Sequence, residues 1–479
     1  MMPEEAAFAD EADRLDAVDA VVNPATGADE QSGEKDTAAS AQHDDLLTDD
    51  TEPLDPTSAL QPQERRTLAD ALYGALPVSR WAQALLDLPV FERLAGVSLS
   101  DAPGELLLDR PFPSRLTHSL GVYYLTRQAR SRDRALQAAA LAHDLGHGPF
   151  SHLTEPLMIE RLGMGHEERG AVLLRQALAE LRGASARLLA WLDPDEVTAL
   201  MLGGGSDGRG KLLNGLMDYD NLDNVARFLQ ASGLGAPSYD PRALARELRL
   251  IAPAADDDAA HEREPYVALS QDAASEARAW LADRRRVYRY LGAGERNLAM
   301  HGMLRKAVDL AAQAGVITES FFDATDGEAL ELLSACSSLG AAVLADAVLR
   351  DDLFIRVWEA TAPEQANALT ALFAQGEARL AIEERVATEA GLLPYEVTLN
   401  YTVARGEREL PPIITSQRKR AEPAASQVAA PDMPDTPERT LTLLVTRSAG
   451  RDYMRRARMA AERALGALGA VPRPWSDLG

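Results

Sequence analysis

The segment ALQAAALAHDLGHGPFSHL, residues 135–153, limits what this chain can become more than any other stretch. An apolar helical run, Leu136–Ala142, ends in the adjacent polar pair His143 and Asp144. Two costly polar groups at the end of a buried helix must be paired or bound to something. A single histidine on an apolar helix is more often a hydrogen-bonded core residue. Here, however, five of the eight histidines, His118, His143, His147, His152 and His166, fall within residues 118–166. Neutral imidazoles with a carboxylate hold a divalent ion while leaving positions open for water or a phosphate oxygen, so the cluster points to hydrolytic metal chemistry. On a continuing helix His143 and His147 share a face before Gly148-Pro149 breaks it.

Three stretches in order, RLTHSLGVYYL at 115–125, HDLGHGPFSH at 143–152 and GHEERGAVLL at 165–174, resemble the successive motifs of HD-domain phosphohydrolases. The resemblance is to the branch that contains deoxynucleoside triphosphate triphosphohydrolases. The segment LADALYGALPVSRWAQALLDLPVFERL at 68–94 is similar to the start of that branch, and weaker similarity runs to about residue 350. The resemblance implies that His118, His143 and Asp144 ligate a divalent metal ion (Mg, Mn, Fe, Co or Zn), with a further aspartate from a D-x-D segment. LLNGLMDYDNLDNVARFL offers Asp218, Asp220 and Asp223. The second Asp of the family's D-x-D falls on Asp220, with Asp223 as the alternative. The remaining carboxylates suit an exposed helix N-terminus.

The same resemblance implies roles for the other histidines. His147 and His166 would bond the attacking water or line a phosphate channel, and His152 would protonate a leaving oxygen. Glu155, rather than Glu167, would orient an imidazole, and Arg115 would contact phosphate. Where the family carries a phosphate-binding lysine, then a tyrosine and an aspartate that read the sugar, this chain has Asn221, Asn224 and Phe228. Asn221 and Asn224 remain candidate substrate contacts, but losing a cation and a buried acceptor alters the substrate pocket. Tyr288 and Arg289 are further candidates on a basic helix near 277–310, although a charge run is more often a solvated face or a subunit contact. GSDGRGKL at 205–212 imitates a phosphate loop, but leucine follows the lysine where a hydroxyl is required.

With 479 residues, 46% of them hydrophobic and only 5% aromatic, the chain can bury a large helical core. The expected fold is mainly α: an HD-domain helical core over 63–390 and a small α+β C-terminal region over 391–479 with a flexible 416–438 segment. YEVTLNYTV at 395–403 and RTLTLLVTR at 439–447 alternate as strands. Helices are expected over 65–95, 116–160, 167–203, 216–232, 267–290, 295–315 and 327–390. The first 60 residues hold 17 acidic and two basic side chains, so 1–62 reads as a disordered acidic tail. The remaining 57 acidic and 47 basic residues give no footprint for nucleic acid, which is not expected as a main partner. No apolar run approaches a membrane span, the N-terminus lacks a signal pattern, and one cysteine excludes an intramolecular disulfide framework. Cytoplasmic residence fits these facts, and the resemblance implies a homo-oligomer.

Two functions follow. One is a metal-dependent phosphohydrolase acting on a nucleotide ester or anhydride. The other is a nucleotide-binding sensor that keeps the metal site with little turnover.

Overall fold

The computed structural model describes residues 66–473 apart from 109, 206, 252–264, 363–368, 370–372, 374–375, 404–409 and 415–438. The expected acidic tail and the 416–438 segment lie outside the described residues. The chain is mainly α with small sheets.

It enters through an antiparallel hairpin, β1 (Arg66–Asp70) and β2 (Gly74–Val78). The helix expected from residue 65 starts only at Arg80, where the Ser79 hydroxyl accepts the Ala82 amide as an N-cap. Asp70 closes the hairpin by accepting the Leu72 and Tyr73 amides, both at 2.8 Å.

The helices around the histidines are α1 (Arg115–Ala129), α2 (Arg134–Ala142), α3 (Glu155–Leu162), α4 (His166–Ala179) and α5 (Tyr219–Ser232). Every residue of α2 from Leu136 to Ala142 is buried, because small apolar side chains let neighbouring helices approach from all sides. α1 packs against both α2 and α5. The continuation of α2 through His147 does not occur. His143 is the C-cap, and residues 143–154 form a loop with one 3-10 turn at Ser151–Leu153. The reason lies in Gly146, where a Cβ would collide with the carbonyl oxygen of His166; the loop lies so close to α4 that only glycine fits.

The chain continues through α6 (Ala274–Ala293), α7 (Glu295–Gln313), α8 (Asp326–Ala335) and α9 (Leu339–Leu349). The helix expected over 267–290 begins instead as a strand. β3 (Leu248–Ile251), β4 (Tyr266–Ser270) and β7 (Ile413–Ile414) form a sheet in the order β3-β4-β7. The helix expected over 327–390 is interrupted by β5 (Ile355–Ala362) before α10 (Gly376–Ala390). The two strands expected near the C-terminus are present as β6 (Val397–Val403) and β8 (Arg439–Val445). With β9 (Val471–Pro472) they give the order β6-β8-β5-β9, packed against α10 and α11 (Arg451–Gly466).

Buried apolar side chains divide into three cores, one around α1, α2 and α5, a second around α7, α8 and α9, and a third in the C-terminal sheet. The third core already includes Val357 and Trp358, so it begins well before residue 391. A buried ionic knot fastens the second core to the third. Lys306 of α7 lies 2.8 Å from Glu383 of α10 and donates to the Pro394 and Val397 carbonyls, while Arg379 pairs with Glu383 and Asp309. Among the described residues no helix is long and apolar enough to cross a membrane.

Candidate metal centre

Three helices and one loop converge on a single point. His118 projects from the first turns of α1, which Ser114 caps by accepting the Thr117 amide. His143 and Asp144 follow α2, and Asp220 lies in the first turn of α5. Single ligand atoms of His118, His143 and Asp220 all lie within 4.8 Å of one another. The Asp144 carboxylate joins them, 3.8 Å from His118 Nε2 and 3.5 Å from His143 Nε2.

The tautomers follow from the outer partners. His118 Nδ1 faces the Asp223 carboxylate at 2.7 Å, so that nitrogen carries a proton. His143 Nδ1 faces the Ala140 carbonyl at 2.9 Å and must donate as well. Both Nε2 atoms therefore face inward, 3.3 Å from each other, with Asp220 Oδ1 2.8 Å from His118 Nε2. Acceptors facing acceptors repel unless a proton or a cation sits among them. Burial lowers the His118 pKa, but the Asp220 and Asp223 carboxylates outweigh it and raise it to about 9. Burial opposes ionisation of Asp144 too, yet Arg115 and the neighbouring imidazoles hold it well below the usual carboxylate range. Once a divalent cation displaces the proton that these carboxylates hold on His118, the two imidazole Nε2 atoms and two carboxylates form a donor set that fits such an ion.

Asp223, which the sequence offers as the alternative to Asp220 or as a carboxylate at an exposed helix start, takes neither place. It stands on the outer side of His118, fully buried, and takes a two-pronged grip from Arg227 at 2.8 and 2.9 Å. Arg227 also donates to Asp70 of the hairpin at 2.9 Å. Asp223 therefore braces His118 from outside the donor cluster, in the manner of the carboxylate–histidine pairs that stand behind metals. The four-residue spacing of Asp223 and Arg227 was the available signal. Asp218 is also not on an exposed helix end. It is buried and caps α5 by accepting the Asn221 amide at 2.7 Å.

A second group stands beside the first. His147, His152 and His166 bring one ring nitrogen each within 4.8 Å of one another, and the His147 and His166 rings stack with centroids 4.0 Å apart. Glu155, at the start of α3, accepts from His152 Nδ1 at 2.8 Å and from His166 Nδ1 at 2.6 Å. Glu167 is more distant, 3.7 Å from His166 Nε2. Burial works against charge on His166, but Glu155 and Glu167 together raise its pKa to about 10, so it is an imidazolium. Burial and the charges of Arg115 and His166 keep His147 neutral. His147 Nε2 lies 3.2 Å from Asp144 Oδ1, which links the two groups.

The remaining candidates are placed as follows. Arg115 is buried and donates to Asp144 at 3.1 Å and Ser151 at 3.0 Å. Asn221 spends its side-chain amide on Asp218 at 3.2 Å, and Asn224 is half-buried one turn past Asp220 on α5. Phe228 is buried with its ring 5.3 Å from that of Phe112. Arg289 is exposed on α6, and Tyr288 carries the Arg284 guanidinium 4.3 Å over its ring.

Residues 115–217 match the HD domain family. Deoxynucleoside triphosphate triphosphohydrolase SAMHD1 of Homo sapiens is 29% identical over 136 residues, 25% of this chain and 21% of that protein. The Bos taurus protein of the same name is 29% identical over 136 residues, 25% of this chain and 23% of its own length. Uncharacterized protein YwfO of Bacillus subtilis (strain 168) is 27% identical over 150 residues, 28% of this chain and 33% of that protein. The likeness thus spans under a quarter of the length of either SAMHD1 protein. The chain carries an HD domain and resembles the deoxynucleoside triphosphate triphosphohydrolase branch.

Proposed function

We propose that this chain is a divalent-metal-dependent phosphohydrolase acting on a phosphate ester or anhydride of a nucleotide. The observation that carries the reading is the meeting of His118 Nε2, His143 Nε2, Asp220 and Asp144, all metal-ligating groups, at one point. A divalent cation held there supplies a Lewis acid for a phosphoryl oxygen and lowers the pKa of water toward neutrality.

The chain's own groups do the rest. His166, held as an imidazolium by Glu155, stabilises charge that develops on phosphate oxygens. His152 donates its Nδ1–H to the same Glu155, so it would act as general acid only when Nε2 is protonated as well, handing that second proton to the leaving oxygen. Arg115, already aimed at Asp144, reaches a phosphate oxygen beside the cation. Asn221 is engaged by Asp218 and Phe228 fills an apolar contact with Phe112, so the sugar and outer phosphates are read differently from the family pattern.

That last observation favours a second reading, a nucleotide sensor that binds without turnover. Purified protein is incubated with manganese, magnesium, iron, cobalt or zinc and a panel of nucleotides. Turnover that disappears in Asp144→Ala supports the hydrolase. Tight binding with no product in any metal supports the sensor, and neither binding nor turnover sinks both.

A further inference from the structure

The loop that presents His147 and His152 bridges two cores, with Leu145 buried in the first and Phe150 and Leu153 in the second. Its backbone is unusual. Phe150 and Ser151 adopt left-handed conformations, φ 59° and 50°, which persist only where the surroundings over-determine them.

Four residues more than 170 positions downstream supply that constraint, at the junction where α8 begins. Asp326, itself buried, accepts the Phe150 amide at 2.7 Å and the Ser98 amide at 2.9 Å. The Ser98 carbonyl in turn accepts the Ser151 hydroxyl at 2.8 Å. Arg169 donates to the Gly146 carbonyl at 2.7 Å and to Asp323 at 2.5 Å. Arg93 donates to the Leu145 and His147 carbonyls at 2.9 and 2.6 Å and to the Ala324 carbonyl at 3.5 Å. Three consecutive loop carbonyls are therefore held by two guanidinium groups, and both guanidinium groups are held by residues 323–324. Phe322 closes the contact, packing 3.4 Å from where a Cβ on Gly148 would stand.

We propose that the turn Asp323–Asp326 is a positioning staple, which fixes the 145–151 loop and so sets how His147 and His152 face the substrate phosphate. It lies outside the residues that match the HD domain and belongs to the second core. The second core thereby acts on the chemistry without touching it. The kinetic part of this proposal rests on the phosphohydrolase reading; the structural part does not.

The test is hydrogen exchange on the full chain, comparing the parent with Asp326→Asn and Asp323→Ala. Asparagine has one oxygen and a donating nitrogen, so it cannot accept both the Phe150 and Ser98 amides. Peptides covering 144–153 should exchange roughly tenfold faster in Asp326→Asn and by a smaller factor in Asp323→Ala. Peptides from α2 and α9 should keep parental rates, and bound manganese should stay at the parental level. On a nucleotide that the parent hydrolyses, kcat should fall with KM nearly constant. Parental exchange at 144–153 in both variants overturns the proposal, as does acceleration spread evenly over the chain. Should Asp326→Asn fail to fold, Asp323→Ala decides alone, since its carboxylate is largely exposed. A parent that hydrolyses no nucleotide defeats the phosphohydrolase reading, and the exchange result still decides the staple.

Discussion

His118 turns its Nδ1 onto the Asp223 carboxylate at 2.7 Å, and that contact decides that Nε2 faces the candidate metal centre. In Asp223→Asn the side-chain amide can donate to Nδ1, which favours the tautomer with its proton on the inward Nε2. Affinity for manganese should fall by about 10–100-fold. Isothermal titration of protein stripped with chelator reads this directly. Parental affinity in the variant would show that the carboxylate does not orient the ring.

Much of this centre could be read before any coordinates, because its chemistry is concentrated in short segments. His118, His143, Asp144 and Asp220 meet as the family resemblance implies. What could not be read was how they meet. A helix from α2 through His147 is a natural reading of ALAHDLGH, but the close approach of Gly146 to α4 is a tertiary fact that no local pattern contains. Asp223 looked like a rival ligand because sequence places it three residues past Asp220 and says nothing of the side on which it meets His118. Strand β5, IRVWEATA, lies inside the span 327–390 where a helix is expected. Its partners are β8 and β9, roughly 80 and 110 residues away, so the signal that fixes it is non-local.

Glu155→Gln tests the second histidine group through pH. His166 is raised from 6.5 to about 10, so its share of the stabilisation is complete below pH 6.5 and fades as pH rises through 10. Glu155 is depressed below 4.5, so its share is present above that value and fades as pH falls. The parent should therefore exceed the variant in stability most between pH 4.5 and 6.5, with the gap narrowing toward pH 10. Thermal melts across that range check the sign. In the variant the His166 ring should titrate well below its parental value, which proton NMR of the imidazole reports. An unchanged titration would mean Glu155 does not hold the proton there.

Lys306→Met should weaken the joint between the second and third cores. Glu383 is fully buried between Lys306 and Arg379, and the Pro394 and Val397 carbonyls would lose the ammonium that serves them. Breaking a buried pair while leaving its charge in place costs about 3–5 kcal/mol. Urea unfolding measures it, and bound manganese per folded chain should not change. A loss below about 1 kcal/mol would mean that Arg379 alone neutralises Glu383.

Gly121→Ala offers a way to disturb the candidate metal centre without replacing a polar group. Gly121 sits on α1 one turn after His118, and a Cβ there would collide with Asp223 Oδ1 and Arg227 Nη2. Neither neighbour can retreat easily, because Asp223 is pinned by His118 and Arg227, and Arg227 is pinned by Asp70. The added methyl should cost about 1–3 kcal/mol of overpacking. It should also lower manganese affinity in the same direction as Asp223→Asn. Gly327→Ala is the control: it too is helical, on α8, and a Cβ there meets nothing within 4 Å. Removing that glycine should be neutral or stabilise by up to about 1 kcal/mol. Should both alanines behave alike in melting and in manganese titration, the packing of α1 on α5 would have no hold over His118, and the orienting role of Asp223 would fall with it.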